Sequence, residues 1–370
     1  MPEFLVGHFI AMDLRTALQV VLLGFIGGTL SGFIGSGGAF FMTPGMMNLG
    51  VAGNVAVGSN IAHKFGKAMM GSRRHGELGN VDKKLGIFLI VTAYIGIYLA
   101  VQVMSLMFGD AGDHGKVKGA AGNLYVSLVF VSVLSIVGVS LLRDALKTTK
   151  DDLGPSKKIT SYLSKLRLFP LIHFPVADVY VSLWIVMTVG LATGYLAGTI
   201  GVGGFIGVPA MIYVFGVPTA VAAGTELYLA MFMGAFGAIS YAFKGFVDIR
   251  LTILMYLGSL VGIYIGAYGT KVVKEVFIRI VTGVVILLCV CSRAVAIPMY
   301  MRQLGWLEID AGWDGILNLT SKSILFLSGM SGTGLILYNV FRAYHQRNRV
   351  RESLAASEPQ PVVRERVAAS

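Results

Sequence analysis

Gly35-Ser36-Gly37-Gly38 returns as Gly201-Val202-Gly203-Gly204, 166 positions on (201 less 35). The same offset pairs Gly24, Gly28 and Gly32 with Gly190, Gly194 and Gly198. It pairs Gly50-Val51 with Gly216-Val217, Gly58 with Gly224, and Gly79 and Val81-Asp82 with Gly245 and Val247-Asp248. It ends on Gly96-Ile97-Tyr98 against Gly262-Ile263-Tyr264, and only Pro44 and Pro209 slip, by one residue. A register held this long is a tandem repeat, so the chain contains one folding unit twice.

The unit is membrane-embedded. Residues are 55% hydrophobic and only 13% charged, where a soluble domain carries roughly 25% charge. Several apolar runs reach the roughly 20 residues needed to cross a bilayer. The fold class expected is therefore an all-α polytopic membrane protein. Glu3 and Asp13 flank the first short apolar run with no basic stretch before it, which is not the pattern of a cleavable signal. Cys289 and Cys291 would point to different faces of one helix, so core packing is expected for both and no disulfide. The net charge of +11 lies in loops and tails between spans, as membrane orientation requires, and calls for no nucleic acid.

Taken in order, residues 1–13 are a lead and 14–146 the first transmembrane repeat. Residues 147–178 are a basic connector and 179–292 the second repeat. An irregular interfacial loop is expected at 293–318, with Trp306 and Trp313 suited to the membrane interface. A last helix covers 319–341, and a basic polar tail 342–370. Glycines four apart give each repeat's first helix a smooth face for close packing, which explains those six glycines fully. The Gly-rich stretch that follows breaks the helix, and the proline beyond prevents a clean restart. The segments from Gly38 to about Leu49 and from Gly204 to Phe215 are apolar but short and interrupted. Broken backbone at membrane depth is tolerated only where protein or a cavity surrounds it. A matched pair of such segments points to a transporter's binding site.

Charge bears on how the two repeats are oriented. If the short segments do not cross, the repeats are parallel and the arginines of the tail face outward. If they do cross, the repeats are inverted, and the basic loops 64–84, 143–178 and 271–279 all share the tail's side. The second arrangement keeps every strongly basic stretch inside, so inverted repeats with paired broken or re-entrant segments are expected.

These motifs resemble the TauE/SafE family of membrane permeases, the sulfite exporters. The residues that carry the resemblance are Gly32 to Gly38 with Pro44, Gly58-Ser59-Asn60, Gly198 to Gly204 with Pro209, Gly224-Thr225-Glu226 and Gly245 to Asp248. The resemblance implies movement of a small sulfur-containing anion, such as sulfite or an organosulfonate. The polar helix stretch Asn60–Lys67 and the 293–318 region depart from the family pattern.

An oxyanion needs N–H donors and positive potential, which a helix start after a double glycine can offer. Candidate substrate-binding residues are therefore Gly35, Gly37, Gly38, Gly201, Gly203 and Gly204, with Ser59, Asn60, Thr225 and Glu226 around them. The hydroxyls of Ser59 and Thr225 serve equally well as bonds between helices. Glu226 stands out, because an ionisable group inside a span is costly and usually functional. It is the candidate for coupling anion movement to proton movement, or for pairing with His63 or Lys64. His63 and Lys64 are candidates for attracting the anion, or for marking the helix's arrival at the interface, as Lys67 does. Asp82 and Asp248 are explained as helix caps.

Enzyme chemistry would require clustered acid–base or metal-ligating side chains, and the histidines are scattered. No nucleotide-hydrolysing loop motif is present. No cofactor is expected. The expected partners are a small anion and the bilayer, with a homo-oligomer left open, in the cytoplasmic membrane of a bacterium. A passive channel or an assembly subunit is the alternative to a secondary transporter.

Overall fold

The computed structural model describes residues 12–34, 38–108, 116–147, 169–273 and 275–357. The first half comprises α1 (Leu14–Ile34), α2 (Ala39–Asn48), α3 (Gly53–Glu77), α4 (Lys83–Phe108) and α5 (Lys116–Lys147). A short hairpin, β1 (Leu171–Phe174) and β2 (Val179–Ser182), leads into the second half, with Leu171 opposite Ser182 and Phe174 opposite Val179. Then come α6 (Leu183–Ile200), α7 (Gly204–Pro209) with a π-helical turn at Ala210–Val214, α8 (Thr219–Phe243), α9 (Ile249–Val272), α10 (Glu275–Gln303) and α11 (Trp313–Ser357). Among the described residues, eight helices are long and apolar enough to cross a membrane. The chain is an all-α, multi-pass membrane protein.

Close helix packing builds the core. A Cβ on Gly28 would lie 2.6 Å from the carbonyl oxygen of Ser259, and one on Gly194 only 2.1 Å from that of Ala93. Backbones this near leave no room for side chains, so the glycine faces set which helices pair. The pairings exchange under the repeat offset. Gly24 faces Met255 as Gly190 faces Leu89, and Gly96 faces Leu191 and Tyr195 as Gly262 faces Phe25 and Thr29. Contacts that map onto themselves when the halves are swapped describe a two-fold relation between them. α3 and α8, matching helices of the two halves, pack antiparallel. Gly237 meets Ile61, Gly234 meets Phe65 and Gly71 meets Leu227.

α3 is too polar for the eight, yet its residues 53–61 and 63 are all buried. A polar helix survives at membrane depth here because α8 packs along it and Thr252, Tyr256 and Ser259 of α9 bond to it. Both short segments form as expected. α2 carries Pro44 and has all ten of its residues buried. α7 carries Pro209 and loosens at once into the π turn.

Several boundaries differ from the sequence reading. Residues 293–303 continue α10 through Pro298, and 313–318 open α11, so only 304–312 lie outside helices. The reason is periodicity: Cys289, Ser292, Arg293, Ala296 and Tyr300 are buried along one helical face. A turn with Gly305 at φ +74° reverses the chain, and an ion pair between Arg302 and Asp314 clasps its two sides. α11 runs on to Ser357, through the first half of the expected tail. Most of the connector, with residues 109–115 and 358–370, lies outside the described residues. Both cysteines are free thiols, Cys289 buried and Cys291 exposed.

Gly194→Leu should remove the folded, monodisperse species in size-exclusion chromatography, because overpacking onto backbone exceeds the roughly 1–3 kcal/mol of ordinary core crowding. Gly334→Leu, which meets nothing within 4 Å, should elute as wild type.

Candidate functional site

The two short helices begin face to face. Phe40, in the first turn of α2, lies edge-on to Phe205, in the first turn of α7, at 5.2 Å between centroids. The first N–H groups of a helix have no intrahelical acceptor, and its amino end carries partial positive charge. Two such ends therefore converge in the middle of the bundle.

Gly35 and Gly37 lie outside the described residues. Gly38 caps α2 and packs hard on α1, where a Cβ would fall 1.8 Å from the Gly27 carbonyl oxygen. Gly201 ends α6 in the left-handed region, φ +78°, and its open side faces the Asn60 amide and the Thr43 hydroxyl. Gly203 caps α7 against Ala197, and Gly204 is α7's first, buried residue.

Asn60 joins three elements. Its Nδ2 donates to the Ala39 carbonyl at 3.2 Å and to Thr43 Oγ1 at 2.8 Å. Thr43 Oγ1 in turn donates to the Ile200 carbonyl at 3.1 Å. α2, α3 and the end of α6 are thus tied at one point, and Asn60 Oδ1 is left without a hydrogen-bond donor among the described residues.

Glu226 holds the position related to Asn60 by the repeat, and its surroundings differ. It is 4% exposed, and neither carboxylate oxygen has a hydrogen-bond partner among the described residues. It lies against Gly207 of α7, where a Cβ would come within 2.2 Å of Oε2. Thr193 of α6 closes the same corner, with its hydroxyl also unpartnered among the described residues. Lys64 of α3 makes no hydrogen bond to this carboxylate. His63 is not Glu226's partner: its Nε2 bonds Ser259 Oγ at 2.7 Å and its ring lies on Tyr256.

Ser59 and Thr225 are engaged with the opposite half. Ser59 Oγ accepts the Asp248 N–H at 2.9 Å, and Thr225 Oγ1 accepts the Asp82 N–H at 3.0 Å. These two bonds exchange under the offset. Both aspartates cap helices, Asp82 through the Leu85 N–H and Asp248 through the N–H groups of Arg250 and Leu251.

Sequence reasoning passed over Thr43, Thr193, Gly207 and Arg293. Thr43 and Gly207 sit in the short segments, but their repeat mates are Pro209 and Phe41, so the repeat did not mark them. Among the described residues no three His, Cys, Asp or Glu side chains gather as metal ligands.

A family model described as "Sulfite exporter TauE/SafE" matches residues 20–292. Three relatives from Bacillus subtilis (strain 168) are each named a probable membrane transporter protein. YdhB is 23% identical over 71% of this chain and 94% of its own length. YjnA is 25% identical over 68% and 89%, and YunE 22% identical over 74% and 95%. No solved structure matches.

Ser59→Ala and Thr225→Val should each destabilise the folded protein by roughly 1–3 kcal/mol, because a buried N–H loses its acceptor. Thermal unfolding in detergent checks this; an unmoved midpoint would mean that these hydroxyls do not carry the two bonds.

Proposed function

This chain belongs to the sulfite exporter TauE/SafE family of membrane transporters, and on that premise we propose that it carries a small sulfur-containing oxyanion, such as sulfite or an organosulfonate, across the cytoplasmic membrane. The observation that carries this reading is the convergence of α2 and α7 at Phe40 and Phe205. Helix amino ends supply N–H donors and positive potential to an anion without a fixed counter-charge. An oxyanion there would find a donor in the Thr193 hydroxyl, unpartnered among the described residues, and Asn60 Oδ1 and Glu226 could bond it where a proton is shared between them and the anion.

Glu226 gives the two sides different chemistry. As a carboxylate it repels an anion; once protonated it donates a hydrogen bond. A proton arriving with the substrate therefore favours occupancy, which is the logic of proton coupling.

The exchange of contacts, with α3 antiparallel to α8, supports inverted repeats. Alternating helix directions then bring the ends of α3, α5, α9 and α11 to one face. The basic residues Arg73, Arg74, Arg143 and Arg342 belong to those ends, in keeping with a cytoplasmic side. Rocking of one half against the other about the paired short helices would open the site to each side in turn.

The test is uptake into proteoliposomes of labelled sulfite, sulfoacetate, thiosulfate and sulfate, with and without a pH gradient. Saturable uptake of one anion, stimulated by the gradient and abolished by Gly203→Leu, is expected. Glu226→Gln should remove the response to the gradient while leaving binding intact. Flux that never saturates would instead indicate a channel, and no flux of any of the four would remove the substrate class.

A further inference from the structure

We infer that Arg293 is a positioning residue for the anion site: held at the carboxyl end of α2, it leaves the positive amino end of that helix unopposed in the middle of the bundle. The inference rests on the oxyanion reading above.

Arg293 is 1% exposed and lies inside α10, in the stretch the sequence marked as a loop. It falls just past the residues 20–292 matched by the family model. Its Nη2 donates to Asn48 Oδ1 at 2.6 Å and to Ser321 Oγ at 3.4 Å, and its Nη1 approaches Met47 Sδ at 3.5 Å. Asn48 Nδ2 donates to Ser292 Oγ at 3.3 Å, and Ser292 Oγ donates to the Ser321 carbonyl at 2.7 Å. Among the described residues Nε has no acceptor, and no carboxylate pairs with the guanidinium. A fixed charge at this depth is expensive and is kept only where something offsets it.

Met47 and Asn48 are the last two residues of α2. A helix ends in partial negative charge, which is what a cation beside it answers. α2 is short, so at about 1.5 Å of rise per residue its two poles lie only about 15 Å apart. In a low-dielectric interior the negative pole of so short a helix lowers the potential at its positive one. Arg293 neutralises the negative pole, and the amino end at Ala39 and Phe40 then faces the centre with its charge unopposed.

The second repeat holds the same position through a hydrogen bond from a tyrosine. Tyr213, the repeat mate of Met47, donates to Asp144 Oδ2 of α5 at 3.1 Å. Each short helix is thus held at its carboxyl end by the fifth helix of the other half, through a cation for α2 and a carboxylate for α7.

The test is labelled sulfite uptake by full-length protein in liposomes, with KM and Vmax measured for Arg293→Met, Arg293→Lys and Asn48→Asp. Arg293→Met should raise KM by about 10-fold at near-constant Vmax, and Arg293→Lys should restore most of the affinity. Asn48→Asp discriminates best. It gives the guanidinium a carboxylate partner, so thermal stability should hold or rise while KM rises as in Arg293→Met. A role confined to holding the fold predicts the reverse, a wild-type KM in any variant that stays folded. Folded Asn48→Asp with an unchanged KM overturns the inference, and it decides the matter if Arg293→Met fails to fold. If wild type takes up sulfite saturably and Gly203→Leu blocks it, that result fells this inference alone. Wild type with no saturable uptake fells the oxyanion reading and this inference together.

Discussion

Hydrocarbon offers backbone groups no hydrogen-bond partner, so every break in a helix at membrane depth must be enclosed by protein. The rest of this structure depends on meeting that constraint twice. Glycine faces let α1 close on α9 and α6 close on α4 until carbonyl oxygens sit where side chains would be. These two seams flank an interior in which α2 is wholly buried and α7 starts buried and ends partly exposed. All ten residues of α2 are buried, and α3, too polar to face hydrocarbon, runs beside it.

Within that interior, polar atoms divide by use. Thr43 and the amide of Asn60 fasten α2 to the end of α6 and to α3, while Ser59 and Thr225 hold the starts of α9 and α4 through the Asp248 and Asp82 N–H groups. Asn60 Oδ1, Thr193 Oγ1 and the Glu226 carboxylate remain without partners among the described residues. Buried polar atoms are rarely left so in a finished fold, and each costs roughly 1–3 kcal/mol. These unspent atoms lie beside the two short helices, and the proposed oxyanion site rests on them.

The two halves share glycine contacts and differ in side-chain chemistry. Asn60 answers Glu226, and the cation at the end of α2 answers the carboxylate at the end of α7. Asp82 and Asp248 cap equivalent helices, but Asp82 also accepts the N–H groups of Val176 and Ala177 and so anchors the β-hairpin. Asp248 turns instead to Arg250.

Much of this was legible in the sequence. Membrane class follows from hydropathy, because a run of apolar side chains long enough to cross has no other stable home. The repeat offset marked the glycine seams and the two short segments, since close backbone approach admits no other residue. Asp82 and Asp248 read as caps because an N-terminal carboxylate satisfies local N–H groups whatever surrounds it. Tertiary structure alone decided which polar atoms were spent. Ser59 and Asn60 are neighbours with similar chemistry, yet one bonds Asp248 and the other faces Thr43, Ala39 and Gly201. It also turned a stretch read as a loop into the helix that buries Arg293 against Asn48, 245 residues away. Periodicity and local motifs are written along the chain, whereas a partner brought from the other half is chosen by packing, which no local pattern records.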